Sequence, residues 1–396
     1  MELTYEVLSK TVQEHAAIRR IQRLQPVGGP GDKIYPPTYP GERDNDPARH
    51  LFETRRMDGK DVPCVVIDSV QSQANRLEEA ILDLIRTKKI NVPHVVVDFS
   101  GQHHDGVDVG DLGEITSFEA PHRIFDAIIR DSELESVRFT DTDQYRELLK
   151  AKPVNALEVF KLSPTSLIFG VWNSTGDGGG IGAKFTRTIV SEIVGVHATE
   201  GQKGAVRIDP LSIRAAVKVV GGPLDWLLAT GDKSEKTSKP SEINHSNIIS
   251  NLVPGGVTMD YALHTAVISC AGLRRLHFPG IESDYAAGHT VLAALALVAL
   301  VQQDKAGYSL RSRCDLVCDG KADFEIVHAD GTTETFPLDL EHALKILKKA
   351  VEQAEKAKFP WNNDPLRLKP QARLVQLVAL SRDRALQGES EDPKES

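Results

Sequence analysis

Apolar residues recur along this chain with two periods, close to 2 and close to 3.6, and the switches between them mark the elements. Tyr5 to His15 opens the chain as an amphipathic stretch, and Ile18 to Gln25 follows as a strand. Pro26 to Pro47, with five prolines after Pro26 and four glycines, reads as a long ordered or half-ordered loop. Phe52 to Met57 and Val62 to Asp68 flank Asp58-Gly59, a strong hairpin signal. Ser69 then caps a helix to about Lys88, in which Val70, Ala74, Leu77, Ile81, Leu84 and Ile85 form one buried stripe. His94 to Phe99 is the next strand.

Further on, the pattern predicts helices at Ala120 to Asp131 and Thr142 to Lys150, a strand at Thr165 to Trp172, a glycine-rich turn, and a helix at Ala183 to Val194. Arg214 to Val220 looks extended. Gly221 to Pro254 is a long polar insertion carrying the lysine-rich run Lys233 to Lys239, read as an arm or mobile loop. Val257 to Ser269 is a strand, and Asp284 to Gln303, apolar on nearly all sides, is the expected central core helix. A meander follows through Ser309 to Cys318, Asp323 to His328 and Thr333 to Pro337, with turns at Asp319-Gly320 and Asp330-Gly331. Helices at Leu338 to Lys358 and Gln371 to Leu386, joined by a Pro360 to Pro370 linker, close the pattern. Strands and helices are mixed without regular alternation, which favours an α+β fold, and no solenoid repeat is visible.

Composition narrows the classes. With 396 residues, 40% apolar and 26% charged, the chain can bury a large core, which removes collagen, disorder and disulfide-scaffold readings. Its longest unbroken apolar stretch, Val291 to Val301, falls short of the roughly 18 to 20 residues of a bilayer span, and no signal segment opens the chain, so a cytoplasmic protein is expected. Four cysteines without a framework spacing predict reduced, mostly buried thiols and no disulfide. The net charge of −9 is unevenly spread: Asp98 to Glu135 carries ten acids against Arg123 and Arg130, while Ile181 to Val220 has six Lys or Arg against three acids. Because salt screens charges beyond about 10 Å, a local basic surface on an acidic protein still attracts a polyanion.

The most informative segment is Ser166 to Arg187, read as a strand entering a glycine loop that opens a helix. Gly176, Gly178, Gly179, Gly180 and Gly182 let backbone approach a ligand, and a helix N-terminus with Lys184 and Arg187 favours an anion. Gly178 to Ala183 satisfies the G-x-G-x-x-A dinucleotide fingerprint, but no strand ending in an acid follows about 20 residues later. The phosphate-loop motif fails at Ala183 and Phe185. A structural turn, a nucleotide-cofactor loop and a polynucleotide-backbone site all remain open.

A second constellation, Asp68 to Arg76, crowds Ser69, Gln71, Ser72, Gln73, Asn75 and Arg76 around a helix start, which suits phosphate and sugar contacts or an ordinary capped helix. A third comprises Arg19, Arg20, Arg23, Lys33, Arg55 and Arg56, of which Arg19 and Arg23 share one strand face and Arg20 the other. Asn244, His245 and Asn247 close the insertion and serve equally as ligand contacts or turn caps. Weaker leads are His103, His104 and Asp105 with Asp108 and Asp111 for a metal, and Cys314 with Cys318 for zinc; both fit ordinary loop or strand residues better. No Gly-x-Ser-x-Gly elbow and no basic-aromatic RNA-recognition signature is present.

Five blocks together carry a resemblance: Arg23 to Thr38, Asp68 to Glu79, Glu119 to Arg123, Leu167 to Gly195 and Ala271 to Pro279. They resemble the type I-U (I-G) CRISPR-associated RAMP protein, the Cas-seven-type backbone subunit of a Cascade complex, in family order from about Ile18 to Arg313. The resemblance implies a single modified RRM-like (ferredoxin-like) palm over 1–387 with inserted finger and thumb elements, the thumb at about 207–257, and a disordered acidic tail at 388–396. It implies several copies stacked on one crRNA guide that pairs with target DNA, beside a large subunit and a Cas-five/Cas-six-type subunit. Catalysis, a metal and a cofactor are not expected. The residues expected to touch RNA are Arg19, Arg23, Lys33, Arg55, Arg56, Gln71, Gln73, Asn75, Arg76, Thr175, Gly176, Gly178, Gly179, Lys184, Arg187, His245 and Asn247. A guide of any sequence calls for phosphate, sugar and shape contacts that leave base edges free. The acidic stretch 98–135 is expected on the outer surface or against a basic partner. Two rivals stand beside this reading: an enzyme holding a nucleotide cofactor on Gly176 to Gly182, and a metal-dependent ribonuclease, for which no loop aspartate can be matched.

Overall fold

The protein is described from a computed structural model covering residues 1–41, 46, 48–173, 184–232, 234–249, 253–282 and 285–386. Helix α1 (Tyr5–Glu14) starts at Thr4, whose hydroxyl accepts the Val7 amide, and leads into strand β1 (Ala17–Pro26). Alternation in β1 turns Ile18, Arg20, Gln22 and Leu24 inward. Strands β2 (Phe52–Met57) and β3 (Lys60–Asp68) form the expected hairpin, with φ of 49° at Asp58 and 76° at Gly59, the left-handed pair that a tight two-residue turn needs. Helix α2 (Val70–Arg86) follows at once. Then β4 (Val95–Asp98), β5 (Glu114–Thr116), β6 (Ser132–Leu134) and β7 (Val137–Arg138) build most of a smaller, five-stranded sheet.

Later in the chain come helix α3 (Pro164–Phe169), strands β8 (Ile189–Val196) and β9 (Tyr261–Ser269), and helix α4 (Ala286–Ala306). The meander is β10 (Tyr308–Arg311), β11 (Cys314–Cys318), β12 (Phe324–Val327) and β13 (Thr333–Phe336). Helix α5 (Leu340–Lys356), strand β14 (Leu366–Pro370) and helix α6 (Ala372–Leu386) complete it. The nine-stranded main sheet runs β10-β11-β1-β9-β8-β3-β2, and β12 also pairs with β1 and carries β13. Within it, β1, α2, β8, β9, α4 and β12 follow one another as βαββαβ, with the strands antiparallel in the order β12-β1-β9-β8. The architecture is α+β, as the mixed pattern predicts.

Helices α2 and α4 lie against the inward face. Leu77 and Ile81 of α2 and the apolar length of α4 join Ile18, Ile189 and Ile268 in one cluster, and α1 and α5 close over α4. Helix α4 has the length and apolarity of a membrane span, but 94% of its most apolar window is buried within the protein, so it is the core helix its all-round apolarity predicts. Leu24, Ile193, Ala262, Tyr308 and Leu316 form a second apolar cluster farther along the sheet. Between the two clusters the inward face is polar, with Arg20 and Gln22 on β1, Ser191 on β8 and His264 on β9.

Several expectations are corrected. Thr165 to Trp172 is not a strand: α3 occupies Pro164–Phe169 and only Val171–Trp172 is extended. A short, fully buried apolar run has no period to separate helix from strand, and Pro164 at the first helical position starts a turn. The expected helix at Ala183 to Val194 is instead β8, whose β-branched residues pair with β9 on one side and β3 on the other. Ala120 to Asp131 divides into two short turns, Arg123–Phe125 and Ala127–Arg130, because Asp126 accepts the His122 and Ile128 amides, both at 2.9 Å. Val257 to Ser269 breaks at Met259-Asp260 into Val253–Thr258 and β9, and Arg214 to Val220 contributes only Val219–Val220 to a ladder. The Pro360 to Pro370 linker contains β14, which pairs in parallel with β4.

Candidate nucleic-acid interface

Helix α2 begins beside the polar layer. Ser69 Oγ accepts the Ser72 amide, Gln71 and Asn75 are exposed, and Gln73 turns fully inward. Gln73 Nε2 donates to Asp68 Oδ2 at 2.7 Å, and Arg76 Nε donates to the same oxygen at 3.0 Å while its Nη2 donates to the Leu310 carbonyl. Asp68 therefore aims Arg76 across the helix start toward β10. Behind it the polar layer continues: Ser191 Oγ lies 3.0 Å from Gln73 Oε1 and 2.7 Å from His264 Nε2, and His264 Nδ1 lies 3.0 Å from the Tyr308 hydroxyl. Tyr308 donates to Asp304, which also takes Arg20 Nη2 at 2.8 Å. Complete burial keeps the His264 imidazole neutral, with its pKa pushed down to about 3.

Two cavities of about 480 and 290 Å³ meet at Arg311 and form a groove over this helix start. Tyr35, Arg49, His50 and Lys203 line one; Tyr39, Ser69, Ser72 and Arg76 line the other. The groove wall is the 34–39 segment, tied down at three points. Ile34 exchanges backbone bonds with Val257 (3.0 and 2.8 Å), the Tyr35 amide donates to the Arg313 carbonyl (2.9 Å), and His50 spans Pro37 and Gly256. The His50 Nε2 accepts the Gly256 amide at 3.0 Å, so its Nδ1 carries the proton given to the Pro37 carbonyl at 3.2 Å. The Arg313 guanidinium lies 4.6 Å above the Tyr35 ring. Arg49, Lys203 and Arg311 are exposed and have no carboxylate partner among the described residues. Glu200 and Asp68 are the acids along the groove, and Asp68 is engaged by Arg76. The result is a cationic track with hydroxyls and aromatic rings beside it, fit for a sugar-phosphate chain.

The other sequence-predicted residues are distributed differently. Lys33 donates to the Gln202 carbonyl at 2.9 Å near the outer end of the groove. On the outward face of the sheet, Arg19 is bound by Glu325 (2.7 Å) and Arg55 by Glu53 and by Glu192 (2.7 Å); Arg56, next to Arg55 on the edge strand β2, is bound by Asp61 (3.1 Å). Arg23 stacks 3.9 Å over Tyr261, with Asp319 at 3.6 Å. Lys184 and exposed Trp172 face each other across a two-residue ladder, with Nζ 5.8 Å from the indole ring. Thr175, Gly176, Gly178 and Gly179 lie outside the described residues, as do Gly180 and Gly182. Arg187 packs over Gly170, whose φ of +77° and close neighbours leave no room for a Cβ. Below it, buried Glu78 pairs with Arg123 through two bonds of 2.7 and 2.6 Å, and Arg123 donates to the Gly170 carbonyl at 2.9 Å. Burial pushes the Glu78 carboxyl up to about 7, against the pull of Arg123, and burial together with Arg123 lowers Arg187. Asn247 Oδ1 accepts the Asp209 amide at 2.7 Å and the His245 ring sits 5.9 Å from Trp226, so both help hold the insertion together.

Arg49, Lys203, Arg311 and Arg313 were not singled out in the sequence. Arg311 and Arg313 flank a tight hairpin at Ser312, the one local signal available; their meeting with Arg76 is a long-range event. The acidic stretch finds its partners within the chain. Asp111 takes Arg382, Asp131 takes Arg373 and Arg130, Glu114 takes Arg367, and Glu119 takes Arg86. The His104–Asp105 contact at 3.3 Å stands alone, and no group of three or more His, Cys, Asp or Glu gathers among the described residues. All four thiols are free; burial raises Cys270 to about 11 and Cys314 to about 12.

No curated protein matches this sequence. The solved structure of Csc2 from Thermofilum pendens aligns with 90% of this chain and 81% of its own, at 14% identity and a TM-score of 0.27. The family described as CRISPR-associated protein GSU0053 matches residues 18–200, a span that holds β1, the hairpin, α2, the Glu78–Arg123 pair and β8. Over that span, somewhat less than half of the chain, the sequence is similar to this CRISPR-associated family, in keeping with the motif blocks.

Proposed function

We propose that this protein is a backbone subunit of a Cascade surveillance complex that holds the crRNA guide by its sugar-phosphate chain. Copies of it stack along one guide, leaving base edges free for target DNA, and further Cascade subunits complete the assembly. The observation that carries the reading is the groove at Arg311. Three exposed cations with no acid partner among the described residues line it together with the aimed Arg76, beside serine hydroxyls and the Tyr35–Arg313 stack. These groups recognise phosphate and ribose and are indifferent to base order. The βαββαβ order of the main sheet supports an RRM-like palm, and the 207–257 insertion, with its own short ladders, is the thumb. The role is binding, without catalysis. The helix required by the nucleotide-cofactor reading is β8, so no observation favours that alternative.

The test is fluorescence anisotropy with two single-stranded RNAs of unrelated sequence. Equal affinity is expected, with a log-log salt slope of about −0.7 per neutralised phosphate. Replacing Arg49, Lys203 and Arg311 together by Ala should flatten that slope by about 2 units. A strong preference for one sequence, or a slope unchanged in the triple variant, refutes the assignment.

A further inference from the structure

At the inner end of the groove one acceptor is left without a donor. Asp68, the last residue of β3, is only 3% exposed and is the one acid among the described residues that line the cavity of about 290 Å³. Its Oδ2 accepts Gln73 Nε2 at 2.7 Å and Arg76 Nε at 3.0 Å. Its Oδ1 takes no donor among the described residues, yet it is not sealed from solvent. The carboxylate is held in this pose by partners that are themselves fixed: Gln73 Oε1 accepts the Ser191 hydroxyl at 3.0 Å, and Arg76 Nη2 donates to the Leu310 carbonyl. Acceptors in such surroundings normally meet a donor, and a carboxylate oxygen gains the most from one. The guest is narrowed by charge. Arg76 and Arg311 line the same cavity, which disfavours a metal ion, and a phosphate brings no donor and has the same sign as Oδ1. What remains is a neutral group with a proton to give.

We infer that Asp68 Oδ1 accepts the 2′-hydroxyl of one guide ribose, so that this cavity selects RNA over DNA. The inference rests on the groove reading and deepens it. A sugar-phosphate chain whose base edges are kept for pairing offers one donor per nucleotide, the 2′-hydroxyl, and deoxyribose lacks it. The rest of the lining suits a pentose: Pro37 and Leu310 are apolar walls, and Ser69 and Ser72 stand beside Asp68 at the start of α2. Arg76, 3.0 Å from Asp68, offsets the carboxylate charge, so a phosphate at Arg311 is not turned away. The cations of the groove attract any polyanion, DNA included, whereas the carboxylate supplies the choice of sugar. Because Asp68 also aims Arg76, the sugar contact and the phosphate contact share one register.

The experiment compares, by fluorescence anisotropy on the full chain, a single-stranded RNA with the same sequence carrying fluorine in place of every 2′-hydroxyl. Fluorine keeps the sugar pucker of RNA and removes the donor. Wild type should bind the hydroxyl form about tenfold tighter or more, the worth of one hydrogen bond to a charged group. Asp68→Asn keeps an oxygen for Gln73 and Arg76 but turns an amide N–H toward the sugar, and the ratio should fall to about one. Ser72→Leu, at a half-buried position, narrows the cavity and leaves the contacts of Asp68 in place. It should also erase the preference, and it decides the matter if Asp68→Asn does not fold. Equal affinity for the two forms in wild type, or a preference that survives in either folded variant, overturns the inference while the groove reading stands on its salt slope. A slope unchanged in the Arg49, Lys203 and Arg311 triple variant overturns that reading, and this inference with it.

Discussion

At the scale of single residues, Glu78 and Arg123 form a buried ion pair. The charged form of a carboxylate almost wholly removed from water is favoured chiefly by the two-bond grip of Arg123. Because burial raises the folded carboxyl from 4.5 to about 7, the native state holds that proton more tightly than the unfolded chain. Its contribution to stability is therefore fully present below about 4.5 and is lost as pH rises through about 7. Arg123→Met removes the pull that favours the charge and should cost about 3–5 kcal/mol at pH 8, by urea denaturation. At pH 5, where the orphaned carboxyl is neutral, the cost should be clearly smaller; equal costs at both pH values would show that Glu78 does not titrate in this range.

At the scale of elements, α2 joins the fold to the groove. One stripe, with Leu77 and Ile81, is spent on the core, Gln73 enters the polar layer, and Arg76 reaches β10. The helix start must be firm for Arg76 to be aimed, and Ser69 makes it so. Ser69→Ala should lower stability by about 1 kcal/mol in chemical denaturation, and it should weaken RNA binding without altering the salt slope, because no cation is removed. This helix was legible because its stripe is long and its cap is a serine. Helix α3 and strand β8 were exchanged because both are short apolar segments beside glycines, where the number of neighbouring strands decides conformation and local period does not. The polar layer was invisible for a related reason. Ser191 and His264 look like ordinary strand residues until β8 and β9 pair and place them side by side.

For the whole molecule, the acidic segment and the chain's C-terminal elements form an electrostatic clamp. Arg367 on β14 and Arg373 and Arg382 on α6 reach back to Glu114, Asp131 and Asp111, and β14 completes the smaller sheet beside β4. The charge of the 98–135 stretch is thereby partly answered within the chain, away from the groove. Replacing the three arginines by Gln should make α6 more susceptible to limited proteolysis at low salt. The difference from wild type should shrink toward 1 M salt, where exposed charges are screened over about 3 Å. A difference that persists at high salt would assign the docking of α6 to Val375 and Ala379, which pack on Val109.

What the sequence by itself determined is everything written in local order: the hairpin at Asp58-Gly59, the capped stripe of α2, the all-apolar α4, the meander, the mixed α+β class and the motif blocks that resemble a CRISPR-associated family. Turn chemistry, capping and periodicity act over a few residues and leave their mark in neighbouring letters. Only the tertiary structure decided which cations are free. Arg19, Arg55 and Arg56 meet acids across strands, whereas Arg49, Lys203 and Arg311, from three distant segments, line the groove near Arg76 with no ion-pair partner among the described residues. Whether a charge is neutralised depends on which chain segment folds against it, and that is settled by long-range strand pairing, on which the local sequence is silent.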